Sequence, residues 1–338
     1  MGKKGVCQMT DFTQESDIPR PPFDADCESA LEALSLWFPQ PLTLESLALM
    51  RRQIGDWTST DAELERGGAY RVDELVAPSW HGGPDMGVTV CMPTVRTGPV
   101  PVLYNIHGGG MVMGDRRTGL GVTLDFAAPA GLAVVSIEYR LAPEHPHPIP
   151  VEDCYAGLEW LVAHADQLGV DPDRIILYGS SAGGGLAAGV ALMSRDRGGP
   201  RLLGQVLSCP MLDHRNDSSS SQQFARHGTW TRASNEMAWT ALLGEGHRDV
   251  EASIYASPSR AADLGGLPPA FIDAGSAEVF RDEATAFASR IWAAGGSAEL
   301  HIWAGGFHGF DADVPNAPIS LDAVDARNAW IRRLLQAG

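Results

Sequence analysis

Arg174-Ile-Ile-Leu-Tyr-Gly-Ser-Ser-Ala-Gly-Gly184 is the stretch on which the reading turns. A β-branched run, Ile175–Tyr178, leads into Gly179-Ser180-Ser181-Ala182-Gly183, and Leu186–Met193 follows with helical character. G-x-S-x-G between a strand and a helix is the signature of a sharp turn that lifts a serine clear of the backbone. Such a turn strains the serine and leaves no room for side chains two residues to either side. Ser181 has Gly179 and Gly183 at those places, whereas Ser180 would have Tyr178 and Ala182. The register therefore selects Ser181 as the candidate nucleophile.

Working outward, short apolar runs alternate with longer helical stretches. The runs are Gly87–Met92, Val100–Ile106, Leu132–Ile137, Ile175–Tyr178, Leu203–Ser208, Ala270–Asp273 and Ala298–Trp303. The helical stretches are Val151–Leu168, Ala182–Arg195, Arg281–Ala294 and Leu321–Gln336. This alternation predicts an α/β fold with a mostly parallel sheet flanked by helices, its functional loops at the strand C-terminal ends. Residues 51–211 and 249–338 read as the two parts of that catalytic domain. Residues 212–248, with Ser218–Ser221, Trp230 and Trp239, break the alternation and read as a cap segment. Residues 1–50 read as an N-terminal cap segment. In it an extended lead-in over 1–25 precedes two short helices, marked by Leu31, Leu34 and Phe38 and by Leu44, Leu47 and Ala48, with Pro39 and Pro41 between them.

His107-Gly108-Gly109-Gly110 directly follows the run Val100–Ile106. An HGGG loop at a strand end supplies backbone N–H groups to a developing oxyanion, and its glycines let the backbone come close. Gly109, Gly110 and Ala182 are the expected donors, and Ala182 also opens a helix whose positive end favours negative charge. His107 is expected to pin its loop by hydrogen bonds. Among ten histidines, His308 lies just past the last run, 127 residues after Ser181, as the chain order serine, acid, histidine requires. His301 falls inside the run and reads as structural. The acid belongs after Ala270–Asp273, where Asp273, Glu278 and Asp282 compete. Asp273 still belongs to the strand and Asp282 opens the next helix, as a cap or the partner of an arginine, so Glu278 is the expected triad member.

With these motifs on the page, the chain resembles the hormone-sensitive-lipase-like esterases, the microbial HGGG family of the α/β-hydrolase fold. The resemblance runs from His107 to Phe310. It rests on His107–Gly110, Tyr139-Arg-Leu-Ala-Pro-Glu-His-Pro146, Glu152-Asp153, Asp171-Pro-Asp-Arg174, Gly179–Gly184, Pro210-Met-Leu-Asp213, Glu278–Glu283 and His308-Gly-Phe310. It implies a helical cap in two segments, no cofactor, and hydrolysis of short- to medium-chain acyl esters by Ser181, His308 and Glu278, with Gly109, Gly110 and Ala182 as oxyanion donors. It implies loop-fixing roles for Arg140 and Glu144, allows a cis proline among Tyr139–Pro146, and is compatible with a homodimer. The family usually has Asp where Glu278 stands, and its large subgroups have Asp or Thr where Ser180 stands. Amides and lactones fit the same residues as esters. Hormone receptors on the same fold lack the catalytic histidine that His308 supplies here.

Composition bounds the partners. The 338 residues carry 25 Lys and Arg against 42 Asp and Glu, a net charge of −17. That excludes a nucleic-acid backbone or an anionic membrane surface as the expected partner and leaves a small-molecule ester substrate. Five cysteines, none in C-x-x-C spacing, predict free thiols in a reducing compartment, and Cys91 and Cys209 read as core. No apolar stretch suits a signal peptide or a membrane span, so a cytoplasmic location is expected. No H-E-x-x-H motif or His/Cys ligand spacing marks a metal site, and no phosphate-binding glycine fingerprint follows an early strand.

Overall fold

The computed structural model describes residues 18–34, 41–55 and 58–337. In chain order, α1 (Ala25–Leu34), α2 (Leu44–Gly55) and α3 (Asp61–Glu65) lead into β1 (Tyr70–Ala77), β2 (Met86–Pro93) and β3 (Val100–Ile106). Next come α4 (Leu120–Ala127), β4 (Ala133–Ile137), α5 (Ile149–Ala163), α6 (Ala165–Leu168), β5 (Val170–Ser180) and α7 (Ala182–Arg197). The chain continues through β6 (Gly204–Ser208), α8 (Ser219–Gln223), α9 (Arg232–Leu243), β7 (Ala270–Gly275) and α10 (Arg281–Ala293). It closes with β8 (Ala298–Trp303), α11 (Phe310–Asp313) and α12 (Pro318–Ala337).

The strands form one sheet in the order β1-β2-β4-β3-β5-β6-β7-β8. β1 and β2 pair antiparallel, as do β2 and β4, and every later pairing is parallel. The central parallel strands are covered on both faces, so their sequences are near-continuous apolar runs. Val102–Tyr104, Ala133–Val135, Ile175–Leu177 and Phe271–Ile272 are fully buried. Two apolar layers result. One lies between the sheet and α5, α7 and α10, the other beneath α4 and α12.

All seven expected strands form, and β1 is an addition. Only Tyr70 and Ala77 of its eight residues are buried, so the charged sequence between them carries no core signal, yet every position pairs with β2. The expected helix over Val151–Leu168 is broken at His164, whose φ of −111° and ψ of 12° separate α5 from α6. Helix α4 was also not foreseen; it starts from Gly119 with no side-chain cap. Helices α1 and α2 form where the leucine spacing placed them, while Phe38 and Pro39 lie outside the described residues. Helix α2 runs through the expected boundary at position 50. Cys27, Cys91, Cys154 and Cys209 are buried free thiols. No helix among the described residues is long and apolar enough to cross a membrane.

Ion pairs, one of them buried, fix the loops at the strand C-terminal ends. The Asp153 carboxylate of α5 is fully buried and accepts from the Arg140 backbone N–H (3.1 Å), Arg140 Nε and NH2 (2.7 Å each) and the Trp80 N–H (3.2 Å). Arg51 of α2 donates Nε to the Val112 carbonyl (2.7 Å) and grips both Glu144 oxygens (2.7 and 2.8 Å). That guanidinium holds the Glu144 carboxyl down at about 2. Arg140 and Glu144 thus fix loops, and the peptide bond before Pro143 is cis, as is that before Pro148. Removing one partner of a buried pair strands the other charge, at a cost of about 3–5 kcal/mol. Asp153→Ala is therefore expected to lower unfolding stability by about that much in urea titration; a loss below about 1 kcal/mol would mean that the pair anchors nothing.

Candidate active site

Strand β5 ends at Ser180 and α7 begins at Ala182, so Ser181 makes the whole turn by itself. Its φ of 59° and ψ of −123° lie in a region that L-residues avoid. Backbone bonds hold it there: the Ser181 N–H donates to the Ser208 carbonyl (2.9 Å), and the Ser181 carbonyl accepts from Met211 (3.0 Å) and Gly185 (3.1 Å). The flanking glycines are obligatory by contact. A Cβ on Gly179 would lie 2.1 Å from the Gly183 carbonyl oxygen, and one on Gly183 would lie 2.0 Å from the Ile106 carbonyl oxygen.

The HGGG loop packs directly on this turn, with Gly108 against Ser180 and Ser181. Gly109 and Gly110 have positive φ (104° and 65°), and neither N–H donates to another backbone carbonyl. Ala182 occupies the first position of α7, where the N–H has no partner within the helix. His107 anchors the loop differently from the expectation. Its ring stacks on Tyr139 at 4.2 Å, and Nδ1 reaches only the adjacent Gly108 carbonyl (2.8 Å). The cross-link comes from the backbone instead, since the Tyr139 hydroxyl donates to the His107 carbonyl (2.9 Å).

His308 follows β8 and Glu278 follows β7. The His308 Nε2 lies 2.9 Å from Ser181 Oγ, and Nδ1 lies 2.5 Å from Glu278 Oε2. The other Glu278 oxygen accepts from the Gly275 N–H (2.9 Å), which fixes the carboxylate's orientation. Glu278 is 1% exposed. With the carboxylate accepting at Nδ1, the ring's lone pair at Nε2 faces the Ser181 hydroxyl. Burial works against a charged His308 ring, but the Cys209 sulfur and the Glu278 carboxylate beside it outweigh burial and hold its pKa well above the usual range.

The competing acids are engaged elsewhere. Asp273 accepts from Arg327 NH2 (2.8 Å) and Trp303 Nε1 (3.1 Å). Asp282 pairs with Arg281 (2.8 Å), as expected, but the helix it caps is α8 rather than its own. Its Oδ2 accepts from the Ser220 N–H (2.8 Å), and Ser220 Oγ accepts from the Asp282 N–H (3.2 Å). His301 lies in β8, stacked between Phe271 and Trp303. Arg327 of α12, 1% exposed, also pairs with Asp311 (2.9 Å), tying the segment after His308 to the underside of the sheet.

A cavity of about 280 Å³ opens over Ser181, His308 and Gly109. Ile54 of α2 and Thr229 and Trp230 of the 212–248 segment line its outer wall. The two proposed cap segments also touch each other. The Leu42 N–H donates to Ser234 Oγ (2.9 Å), Gln223 Nε2 to the Pro19 carbonyl (2.6 Å), and Phe23 packs on Phe224. One residue beside the histidine escaped the sequence reading: Cys209, set down as core. It has a positive φ of 37°, and its sulfur lies 3.7 Å from Ser180 Oγ. Its place directly after β6, at a strand's C-terminal end, was the available signal.

Residues 103–312 match the family model described as alpha/beta hydrolase fold. The chain belongs to the α/β hydrolases. Its motifs place this α/β hydrolase with the hormone-sensitive-lipase-like esterases. It is 32% identical to the carboxylesterase NlhH of Mycobacterium tuberculosis over 96% of this chain and 99% of that protein. The esterase LipI of the same species is 35% identical over 70% of this chain and 73% of its own length. Among solved structures, a bacterial heroin esterase superposes with a TM-score of 0.84 at 37% identity, covering 93% of this chain and 98% of that one. The esterase LipW of Mycobacterium marinum does so with a TM-score of 0.82 at 30% identity, covering 93% and 98%.

The surroundings of His308 set its titration. The imidazole is expected to titrate above the unperturbed value of about 6.5. Glu278→Gln should move the titration down, because the carboxylate favours the charged ring. Ring-carbon NMR shifts followed against pH read this directly. A wild-type ring titrating below about 6.5, or one unmoved by Glu278→Gln, would contradict the assignment of its neighbours.

Proposed function

We propose that this α/β hydrolase is a carboxylesterase that cleaves short- to medium-chain acyl esters through an acyl-enzyme on Ser181. The observation that carries the reading is the hydrogen-bonded chain Ser181 Oγ, His308, Glu278, at 2.9 and 2.5 Å, at the floor of the cavity. Relatives and structural neighbours named as esterases support the same reading.

In the proposed mechanism Ser181 Oγ attacks the acyl carbon, and His308 Nε2 takes the hydroxyl proton. The tetrahedral oxyanion is held by the N–H groups of Gly109, Gly110 and Ala182. Each such donor, when removed, costs about 3–4 kcal/mol of barrier in comparable sites. His308 then gives the proton to the leaving alkoxide. A water activated by the same nitrogen attacks the acyl carbon, returning the proton to Ser181 and releasing the acid. Glu278 holds the ring in its productive tautomer and stabilises the imidazolium.

Residues 1–50 and 212–248 act in this proposal as a two-part cap. The support is that Thr229 and Trp230 come to the cavity wall from the second segment and that the two segments bond to each other. Thr229 Oγ1 also donates to the His308 carbonyl, linking the cap to the base loop. A cavity of about 280 Å³ with a tryptophan wall suits short to medium acyl chains.

Kinetics on a p-nitrophenyl ester chain-length series test the whole reading. Rates should peak at short to medium acyl chains, and Trp230→Ala should shift the peak to longer ones. Glu278→Gln is expected to lower kcat by at least about 100-fold, while Asp282→Asn stays within about threefold of wild type and loses about 1 kcal/mol of stability. A dead Asp282→Asn beside a near-normal Glu278→Gln would show that the acid is misassigned.

A further inference from the structure

Cys209 turns the proposed triad into a three-donor cluster. One donor atom each from Cys209 (sulfur), His308 (ring nitrogen) and Glu278 (carboxylate oxygen) lie within 4.8 Å of one another. All three come from loops at strand C-terminal ends, after β6, β8 and β7. Cys209 and Glu278 are 6% and 1% exposed. The cluster differs from an ordinary surface group of acids, because it combines the thiolate, imidazole and carboxylate ligands that zinc selects.

We propose that Cys209, His308 and Glu278 form an inhibitory site for a soft divalent cation such as Zn²⁺ or Cd²⁺. Zinc bonds of about 2.3 Å to sulfur and about 2.0–2.2 Å to nitrogen and oxygen put tetrahedral ligands about 3.5 Å apart. Glu278 and His308, 2.5 Å apart in their hydrogen bond, must open to that spacing, and the Cys209 sulfur must close to it from a separation of up to 4.8 Å. Binding replaces the Glu278–His308 hydrogen bond with two metal bonds. A metal on Nδ1 leaves the ring's proton on Nε2, and a metal on Nε2 takes that lone pair itself. Either way His308 has no lone pair for the Ser181 proton. The Cys209 thiol gives up its proton to solvent as the sulfur–metal bond forms, and no oxidant is consumed.

The pH dependence follows from the ligands. A thiol must lose its proton and an imidazole must be neutral to bind a metal, so protons compete with the cation at Cys209 and His308. Metal affinity should rise with pH. The inference rests on His308 being the base, so the test needs one readout that is independent of turnover.

Purified protein is titrated with ZnCl2 and, separately, with CdCl2, at pH 6 and pH 8. Zn²⁺ should inhibit p-nitrophenyl acetate hydrolysis, at least tenfold more tightly at pH 8, and a chelator should restore the rate. Cd²⁺ should produce the ultraviolet sulfur-to-metal charge-transfer band with one equivalent bound. Cys209→Ala should lose the band and need at least ten times more Zn²⁺ for half-inhibition, measured against its own metal-free rate. Cys209→Ser, closer in size and polarity, should lose the band as well. A wild-type protein with no Cys209-dependent band, or equal Zn²⁺ sensitivity in wild type and Cys209→Ala, overturns the site. An intact band on a protein without ester hydrolysis would instead sink the esterase reading and leave the metal site standing.

Discussion

The strained turn at Ser181 is the constraint on which the rest depends. A serine at φ 59° and ψ −123° is unstable in isolation and persists only where its surroundings leave the chain no alternative. Here the surroundings are the sheet and one helix. Strand β5, paired on both sides by β3 and β6, fixes the residue before the turn, and α7, buried along almost its whole length, fixes the residue after it. The Ser208 carbonyl holds the Ser181 N–H from the next strand. Because Gly183 touches the end of β3, the same crowding seats the HGGG loop against the serine. Position and strain thus have one cause.

Around this point the molecule uses charge to fix loops, and the pairs differ in kind. Asp153 and Arg140, and Arg327 with Asp273 and Asp311, are buried and bonded several times over. Arg51 and Glu144 form a more exposed pair, but Arg51 also reaches backbone carbonyls on two loops, which ties α2 to the floor of the site. Glu278 belongs with the buried groups in surroundings and differs in use. Its carboxylate is satisfied by one backbone N–H and one imidazole, so its charge is kept for the ring.

Much of this was legible in the sequence, for physical reasons that can be named. Parallel strands buried on both faces must be apolar throughout, so Val100–Ile106 and Ile175–Tyr178 announced themselves. G-x-S-x-G and HGGG are legible because close backbone approach excludes side chains. Glu278 could be separated from Asp282 because a carboxylate in the first turn of a helix has local work; that work proved to be capping α8, a partner 62 residues away that no local pattern encodes. Strand β1 was hidden because it is an edge strand held by backbone pairing, with charges along it. Helix α4 was hidden because no side chain caps it. Cys209 was read as core, and it is buried; only the meeting of three strand ends shows that its sulfur lies beside the His308 ring.

The central claim is that the strained serine, and not its neighbour, is the nucleophile that His308 serves. Covalent labelling tests it most directly, because Ser180 and Ser181 are adjacent and only one stands 2.9 Å from the His308 ring nitrogen. The protein is treated with a fluorophosphonate and digested, and the modified residue is located by tandem mass spectrometry. The account predicts one adduct per chain, on Ser181, absent in Ser181→Ala and strongly slowed in Glu278→Gln. An adduct on Ser180, or none on a folded protein, would contradict it.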